Sequence, residues 1–188
     1  MMKVEDYEPS NGAQSIVVEY EKELQPRNAK QAGDLAEYLF NSRLYQRFPT
    51  KQAIGAVIMR GRELGLGALT ALDVFHVIEG KPCPFAYLVI ALCRKHADCE
   101  YLLPVEYDDK HCVAETKHRK YGQILRLTYT YEQAVAAKLP KTGDRGPNGW
   151  IKNPEDMLVK SALCKLGRRM YSDAALGLVS LEEIEETY

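Results

Sequence analysis

Apolar residues recur every three or four positions in several segments of the chain, which is the spacing of an amphipathic helix. Asn28 followed by Gln31 has the pattern of a capping box and predicts the start of a first helix. Thr50 is placed to cap a second helix, which Gly65 ends. The segment 85–97 is apolar on most sides and predicts a buried helix. The pattern therefore predicts helices over much of the first half of the chain.

Strand-like runs follow in the middle of the chain. Three of them, at 101–107, 112–117 and 123–131, are separated by short polar turns. Consecutive strands that are joined by short turns favour an antiparallel meander. Thr130 with Gln133 then predicts a capping box and a short helix directly after the third run.

The longest predicted helix comes after a loop at 140–149. Asn153 can cap this helix, Pro154 suits its first position, and its apolar stripe continues to about Tyr171. Together the segments predict the α+β class. We expect a small antiparallel sheet of about three strands, braced by a long helix, with additional N-terminal helices.

Length and composition fit one compact globular domain, since 188 residues with a hydrophobic share of 46% can bury a core. We expect a single core domain at 28–179, between a flexible acidic arm at 1–27 and an acidic tail at 180–188. No apolar run is long enough to cross a membrane, and the N-terminus does not resemble a signal peptide, so we expect a cytoplasmic protein. The five cysteines form no C-x-x-C pair and match no zinc-binding spacing, which predicts buried or unreactive thiols over a disulfide framework or a metal site.

The formal net charge of −1 hides an uneven distribution along the chain. Basic residues are in excess over 41–171, whereas acidic residues are in excess over 1–40 and 172–188. A basic middle segment is what a phosphate-binding surface requires, and an unevenly charged solvated surface is the alternative. The candidates for such a surface are Lys81, Lys117, Arg119, Lys120, Arg126, Trp150, Lys152, Lys160, Ser161, Lys165, Arg168 and Arg169.

Each group of candidates has a structural alternative. The last helix carries its cations opposite the apolar stripe, with no acid after Asp156, so this face either binds phosphate or is only solvated. Trp150 either stacks on a base or packs in the core. The cations of the β-hairpin are interleaved with tyrosines and form either a platform for single strands or a polar hairpin tip.

The sequence has no pattern for nucleotide binding or covalent catalysis. No glycine-rich loop ends in Gly-Lys-Ser/Thr, and the four histidines are scattered. Glu106, Asp108 and Asp109 are the nearest approach to the carboxylate cluster of a metal-dependent nuclease, but the two aspartates also suit a hairpin turn. We therefore expect no cofactor, no metal and no enzyme activity.

A series of short motifs resembles a known family. Trp150, Pro154, Met157, Lys160–Ser161 and Arg168–Arg169 are similar to that family's aromatic residue, its Met-x-x-Lys-Thr/Ser motif and its basic helix end. Further similar blocks lie at Glu63–Leu66, Val77–Pro82, Gly177–Val179 and Glu182–Glu183. In this order, over roughly residues 30–186, they resemble the RecT/Redβ family of phage single-strand DNA annealing proteins.

The resemblance implies ATP-independent binding of single-stranded DNA and annealing of complementary strands in phage recombination. It implies a homo-oligomer, a ring or a helical filament, that holds single strands and an annealed duplex intermediate in the host bacterial cytoplasm. A phage exonuclease and the host single-strand binding protein are the implied partners. Lys160, Ser161, Lys165 and Arg168 match the basic helix, and Trp150 matches the aromatic residue before it. A passive single-strand coat, an RNA-binding module and a metal-dependent nuclease stay open as alternatives.

Overall fold

The computed structural model of the chain describes residues 25–78, 80–143, 146–178 and 180. The predicted acidic arm and acidic tail therefore lie mostly outside the described residues. The chain divides after Pro82 into two compact units, whereas the sequence predicts one core domain over 28–179. The division arises because the helices before Pro82 pack on their neighbours along the chain and bury a small core of their own.

The first unit begins with capped helices. Its elements are α1 (Ala29–Asn41), α2 (Lys51–Glu63), α3 (Ala68–Val74) and β1 (Phe75–Ile78). Asn28 Oδ1 accepts from the N–H of Gln31 at 2.9 Å, and Thr50 Oγ1 accepts from the N–H of Ala53 at 3.1 Å, so both predicted caps are confirmed. The capping box at Asn28 is incomplete, because the Gln31 side chain accepts from the N–H of Arg27 instead.

Close packing of α2 against α3 depends on a glycine. A Cβ at Gly61 would lie only 2.2 Å from the Cβ of Ala71 in α3. Gly65 follows α2 with a φ of +72°, a value that favours glycine and ends the helix as predicted. The sequence pattern predicts no helix at α3, because a helix of seven residues is too short to show a clear helical period.

The second unit contains the main sheet and the longest helix. After β2 (Lys81–Pro84), which spans the division, its elements are, in chain order, α4 (Ala86–Lys95), β3 (Cys99–Tyr107), β4 (His111–His118), β5 (Ile124–Thr130), α5 (Tyr131–Ala136), β6 (Thr142–Gly143), β7 (Gly146–Pro147), α6 (Gly149–Lys152), α7 (Pro154–Met170) and α8 (Ser172–Ala175). β2 starts just before the division and pairs with β1 in a two-stranded sheet.

The main sheet is antiparallel, with β4 between β3 and β5. Thr116 on β4 lies opposite Leu102 on β3 and Leu125 on β5. The predicted turn chemistry is also present, since the Thr130 side chain and the Gln133 side chain form the expected capping box at α5. A three-stranded antiparallel sheet with a long helix confirms the α+β class.

The long helix α7 lies across one face of this sheet. The buried side chains of β4 at 112, 114, 116 and 118 alternate along the strand and so share that face. Helix α4 packs against another side of α7. The sequence predicts one apolar stripe opposite an exposed basic face. The sheet and α4 instead cover α7 on two sides, so residues of the apolar stripe and residues of the predicted basic face are both buried.

The segment that is predicted as a loop at 140–149 contains short regular elements. β6 and β7 pair in a two-stranded hairpin, and α6 adds one helical turn before α7. Asn153 precedes α7 as predicted, but its side chain makes no capping hydrogen bond. Pairs of two-residue strands and single turns show no periodicity, which is why the sequence pattern does not reveal them.

Two predictions about side-chain environment can be compared with the described residues. All five cysteines are free thiols with buried side chains, which confirms the prediction from their spacing. Burial raises the pKa of the Cys112 thiol to about 11, so that sulfur is neutral at physiological pH. Within the described ranges, no helix combines the length and the apolar character that crossing a membrane requires.

Candidate nucleic-acid interface

The side of α7 that carries Ser161 is packed in the interior, although the resemblance assigns a DNA contact to this residue. Ser161 is 2% exposed, and Cys164 is fully buried with its Sγ donating to the carbonyl oxygen of Ala86 in α4 at 3.4 Å. A Cβ at Gly167 would lie 2.9 Å from the Sγ of Cys93 in α4. Ser161 is therefore inaccessible to DNA in this structure, which corrects the predicted contact. Ser161, Cys164 and Gly167 are small residues at a spacing of three, and this spacing was the signal in the sequence for a close contact between helices.

Trp150 belongs to the hydrophobic core. Its side chain is fully buried, and its ring meets the ring of Tyr129 on β5 edge-on, with 6.3 Å between the centroids. The single turn of α6 carries it there. A ring with no exposed face cannot stack on a base, so the structure corrects the predicted DNA contact at Trp150 and supports the core alternative.

The cations of α7 differ in exposure and in partner. The Nζ of Lys160 lies 3.0 Å from Oδ2 of Asp156, one helical turn earlier. The Nζ of Lys165 lies 4.7 Å from the centroid of an aromatic ring on β5. Arg168 is half-buried, and Arg169 is exposed. The cation of α7 that is turned most fully to solvent is therefore the one at its C-terminal end.

Lys117 and Arg126 lie on the face of the sheet that is turned away from α7, and both are in ion pairs. The Nζ of Lys117 lies 2.9 Å from Oε1 of Glu100, and the Nε of Arg126 lies 2.6 Å from Oε2 of Glu115. The Tyr101 hydroxyl donates to the other carboxylate oxygen of Glu115 at 2.7 Å. Carboxylates therefore offset the predicted positive ridge on this face.

The buried carboxylate of Glu115 gives the sheet a pH-dependent contribution to stability. Hydrogen bonds from Tyr101 and then Arg126 lower the pKa of Glu115 below its ordinary value of 4.5. The stabilisation is present above pH 4.5 and is lost as the pH falls through the folded-state pKa. We expect Glu115→Gln to lower the unfolding temperature at neutral pH, and the difference from wild type to shrink at about pH 3.

Thermal unfolding followed by circular dichroism at both pH values measures this difference. Asp109→Asn, in the exposed β3–β4 turn, is the control and should not change the unfolding temperature at either pH. A Glu115→Gln penalty that is the same at both pH values would show that the carboxylate charge is not the source.

The turn between β4 and β5 carries two cations and an exposed aromatic ring. The N–H of Gly122 donates to the carbonyl oxygen of His118 at 2.8 Å, and the φ of Gly122 is +61°. Arg119 and Lys120 are exposed in this tight turn, and Tyr121 is 68% exposed. Neither cation forms an ion pair with another residue in the described part of the chain. Arg119 Nη2 donates to the carbonyl oxygen of Cys99 at 3.3 Å, which leaves its other N–H groups and the Lys120 ammonium group available to an anion from solvent.

Tyr171 connects the end of α7 to this turn. Its side chain is fully buried, its hydroxyl lies 2.8 Å from Oγ1 of Thr116, and its ring stacks on His118 with 5.9 Å between the centroids. The ring of His96, at the end of α4, lies 5.3 Å from the Tyr171 ring. Burial raises the pKa of Tyr171 to about 12, so its hydroxyl keeps the proton. The ends of α4, β4 and α7 therefore meet at one edge of the second unit.

We call the cations at this edge the basic end: Lys95, Arg119, Lys120, Arg168 and Arg169. The last four were predicted from the sequence. Lys95 was missed, because it closes a helix that the sequence pattern predicts to be buried. Its position in the last turn of α4, among exposed residues after an apolar run, was the available signal.

Carboxylates at the basic end already have basic partners. Nitrogen–oxygen distances place Asp98 at 3.9 Å from His118, Glu100 at 2.9 Å from Lys117, and Asp173 at 2.9 Å from His96. The hydrogen bond from His96 lowers the pKa of Asp173. Because these acids face residues other than Arg119, Lys120 and Arg169, they leave those three side chains turned to solvent.

Two predicted residues do not belong to the basic end. Lys152 is exposed in α6, before the N-terminus of α7, and α7 spans roughly 25 Å between Lys152 and Tyr171. Lys81 is exposed at the start of β2 and falls within the first unit. Within the second unit, the ends of β4 and α7 thus carry one group of the predicted cations, and Lys152 lies at the other end of α7.

The carboxylates of the nuclease alternative form a turn. Asp108 Oδ1 accepts from the N–H groups of Lys110 and His111, both at 2.8 Å, and these bonds lower the pKa of Asp108. Glu106 pairs with His111 at 3.2 Å. Among the described residues, no group of three or more His, Cys, Asp or Glu side chains is arranged to hold a metal ion.

No protein-family model matches the chain, and no curated protein matches it either. The resemblance to the RecT/Redβ family therefore rests on the order of its short motifs. Two residues of those motifs, Trp150 and Ser161, are buried, so their part in the pattern is structural in this protein.

Proposed function

We propose that this protein binds single-stranded DNA at the basic end and anneals complementary strands without ATP. The observation that carries the proposal is the exposure of Arg119, Lys120 and Arg169 at one edge of the second unit, where none of them pairs with a carboxylate of another described residue. Cations without carboxylate partners can neutralise phosphates and release counterions, which drives most sequence-independent binding of DNA.

The chemistry of annealing needs no more than this surface. Cations that hold phosphates leave the base edges free to pair. Neutralising the backbone also weakens the repulsion between two strands that approach each other. Base pairing itself supplies the net free energy, so the reaction requires neither nucleotide hydrolysis nor covalent catalysis.

The order of the RecT/Redβ-like motifs supports a wider proposal. We infer a homo-oligomer, a ring or a helical filament, in which neighbouring basic ends hold one strand and the annealed duplex intermediate. We further propose action in the host bacterial cytoplasm, with a phage exonuclease and the host single-strand binding protein as partners. Side-by-side copies would keep the strand extended, so that complementary segments can test their register.

The test is annealing of two complementary fluorescent oligonucleotides without ATP, together with binding of one strand at several salt concentrations. We expect wild type to accelerate annealing and Arg119→Ala/Arg169→Ala to lose most of the acceleration. Two lost phosphate contacts should reduce the slope of log affinity against log salt by about 1.4, since each contact to a single strand contributes about 0.7.

A matched control removes the same charge from the first unit. Arg27→Ala/Lys30→Ala affects two exposed cations that form no ion pair within the described residues and should leave annealing and the salt slope unchanged. Equal losses in both double variants would assign binding to overall charge and contradict the proposed surface. Binding without faster annealing would make the protein a passive coat, preference for RNA in competition would favour the RNA-binding alternative, and no binding by wild type would disprove the function.

A further inference from the structure

Tyr121 is an exposed ring in the turn that carries two cations of the basic end. It follows Arg119 and Lys120 directly and is 68% exposed. The turn around it is tight. The backbone N–H of Gly122 donates to the carbonyl oxygen of His118 at 2.8 Å, and the backbone N–H of His118 donates to the carbonyl oxygen of Gln123 at 3.0 Å. The backbone therefore holds Tyr121 in one place although its ring points into solvent.

A column of rings supports Tyr121 from the protein side. The His118 ring lies 4.6 Å from the Tyr121 ring at an angle of 34°, and the fully buried Tyr171 ring lies behind His118 at 5.9 Å and 16°. The buried Nδ1 of His118 has no hydrogen-bond partner among the described residues. The His118 ring therefore packs against both the Tyr121 ring and the Tyr171 ring.

We propose that Tyr121 is a stacking site for a nucleobase of single-stranded DNA, with Arg119 and Lys120 holding the flanking phosphates. Any base can stack on an aromatic ring, so the site adds affinity without sequence preference. This inference rests on the proposed function. It replaces Trp150 as the aromatic contact, because Trp150 is buried and Tyr121 is not.

Lys120 does not block the site. Its Nζ lies 5.6 Å from the Tyr121 centroid, and both residues are exposed. A cation–π contact at an exposed position is weaker than stacking of a base on an aromatic ring. A base can therefore displace the ammonium group, which moves a short distance to a phosphate of the same strand.

Two probes of equal length separate stacking from charge: an oligonucleotide of deoxythymidines, and an abasic oligonucleotide with the same phosphates. We expect wild type to bind the thymidine strand more tightly than the abasic strand. Tyr121→Ala should weaken binding of the thymidine strand by roughly tenfold and leave the abasic strand unchanged, whereas Tyr121→Phe should bind like wild type. The salt slope should be the same for all three proteins, because no phosphate contact changes.

Tyr107→Ala is the matched control, because Tyr107 is 51% exposed and lies at the far end of β3, away from the basic end. It should bind both strands like wild type. If Tyr121→Ala still prefers the thymidine strand by the wild-type ratio, stacking at Tyr121 is wrong while DNA binding stands. If wild type binds neither strand, the proposed function and this inference both fail.

Discussion

Trp150→Ala is expected to lower the free energy of unfolding by about 3–5 kcal/mol, which is the usual cost of replacing a large buried aromatic residue. The side chain is fully buried and contacts the ring of Tyr129, so its removal leaves a cavity between α6 and the sheet. A loss of this size is a large fraction of the roughly 5–15 kcal/mol that stabilises a typical domain. Urea unfolding followed by circular dichroism measures it, because the substitution removes the only tryptophan fluorophore.

Trp150→Phe is the matched control. The Nε1 of Trp150 has no hydrogen-bond partner among the described residues, so replacing the indole with a phenyl ring reduces the buried side-chain volume but removes no hydrogen bond. We expect a clearly smaller loss of stability than with alanine. Both variants should bind single-stranded DNA like wild type under conditions where they are folded. Unchanged stability of Trp150→Ala together with lost DNA binding would reverse the assignment and make Trp150 a DNA contact.

Gly167→Leu is expected to separate α7 from α4 and to destabilise the protein by about 2 kcal/mol. Leucine favours a helix over glycine by about 0.8 kcal/mol, but overpacking a tight contact costs about 1–3 kcal/mol or more. The contact is tight here, because a Cβ at this position already comes within 2.9 Å of the Cys93 Sγ and 3.2 Å of a Leu102 methyl group. The neighbouring Arg168 and Arg169 should shift with the helix, so affinity for single-stranded DNA should fall as well.

The Cys93→Ala background identifies the source of this penalty. Removing the Cys93 sulfur makes room beside α7, so Gly167→Leu should cost less stability in that background than in wild type. The double-mutant cycle uses urea unfolding of the four proteins. An equal cost in both backgrounds would show that the contact between α4 and α7 is not what excludes a side chain at position 167.

The open face of the sheet and the basic end both contain cations that the sequence analysis singled out, but these cations differ in whether a carboxylate already holds them. On the open face of the sheet, Arg126 is held by Glu115 and Lys117 by Glu100, so DNA would first have to displace carboxylates. At the basic end, Arg119 and Lys120 stand in a turn without such partners in the described residues. The contrast explains why charge along the chain alone predicts a larger cationic surface than the one whose cations lack carboxylate partners.

Local chemistry made some elements predictable. The Thr130–Gln133 capping box is present, Thr50 caps its helix, and Asp108 accepts from the backbone of the turn that its position predicts. In these cases the interacting groups are two or three residues apart, so the sequence contains both partners side by side. The three strands of the main sheet were also found, because their apolar runs end at short polar turns.

The candidate site depended on contacts between residues that are distant in the chain. Arg126 and Glu115 meet only because β4 and β5 pair in one particular register, and a shift by one residue would place them on opposite faces. Ser161 and Trp150 matched a motif, but whether a motif residue is exposed depends on which elements cover it. The column of Tyr121, His118 and Tyr171 joins a turn to a helix end about 50 residues later.

Pattern and capping along the chain determined that this protein has an antiparallel sheet, a long final helix and helices before them, because those features arise from neighbouring residues. Only the tertiary structure decided that α4 covers α7 beside Gly167, that Trp150 is core, and that Arg119 and Lys120 have no carboxylate partner among the described residues. The physical reason is that burial and ion pairing depend on distances in space, and the fold sets those distances between residues that the sequence keeps far apart.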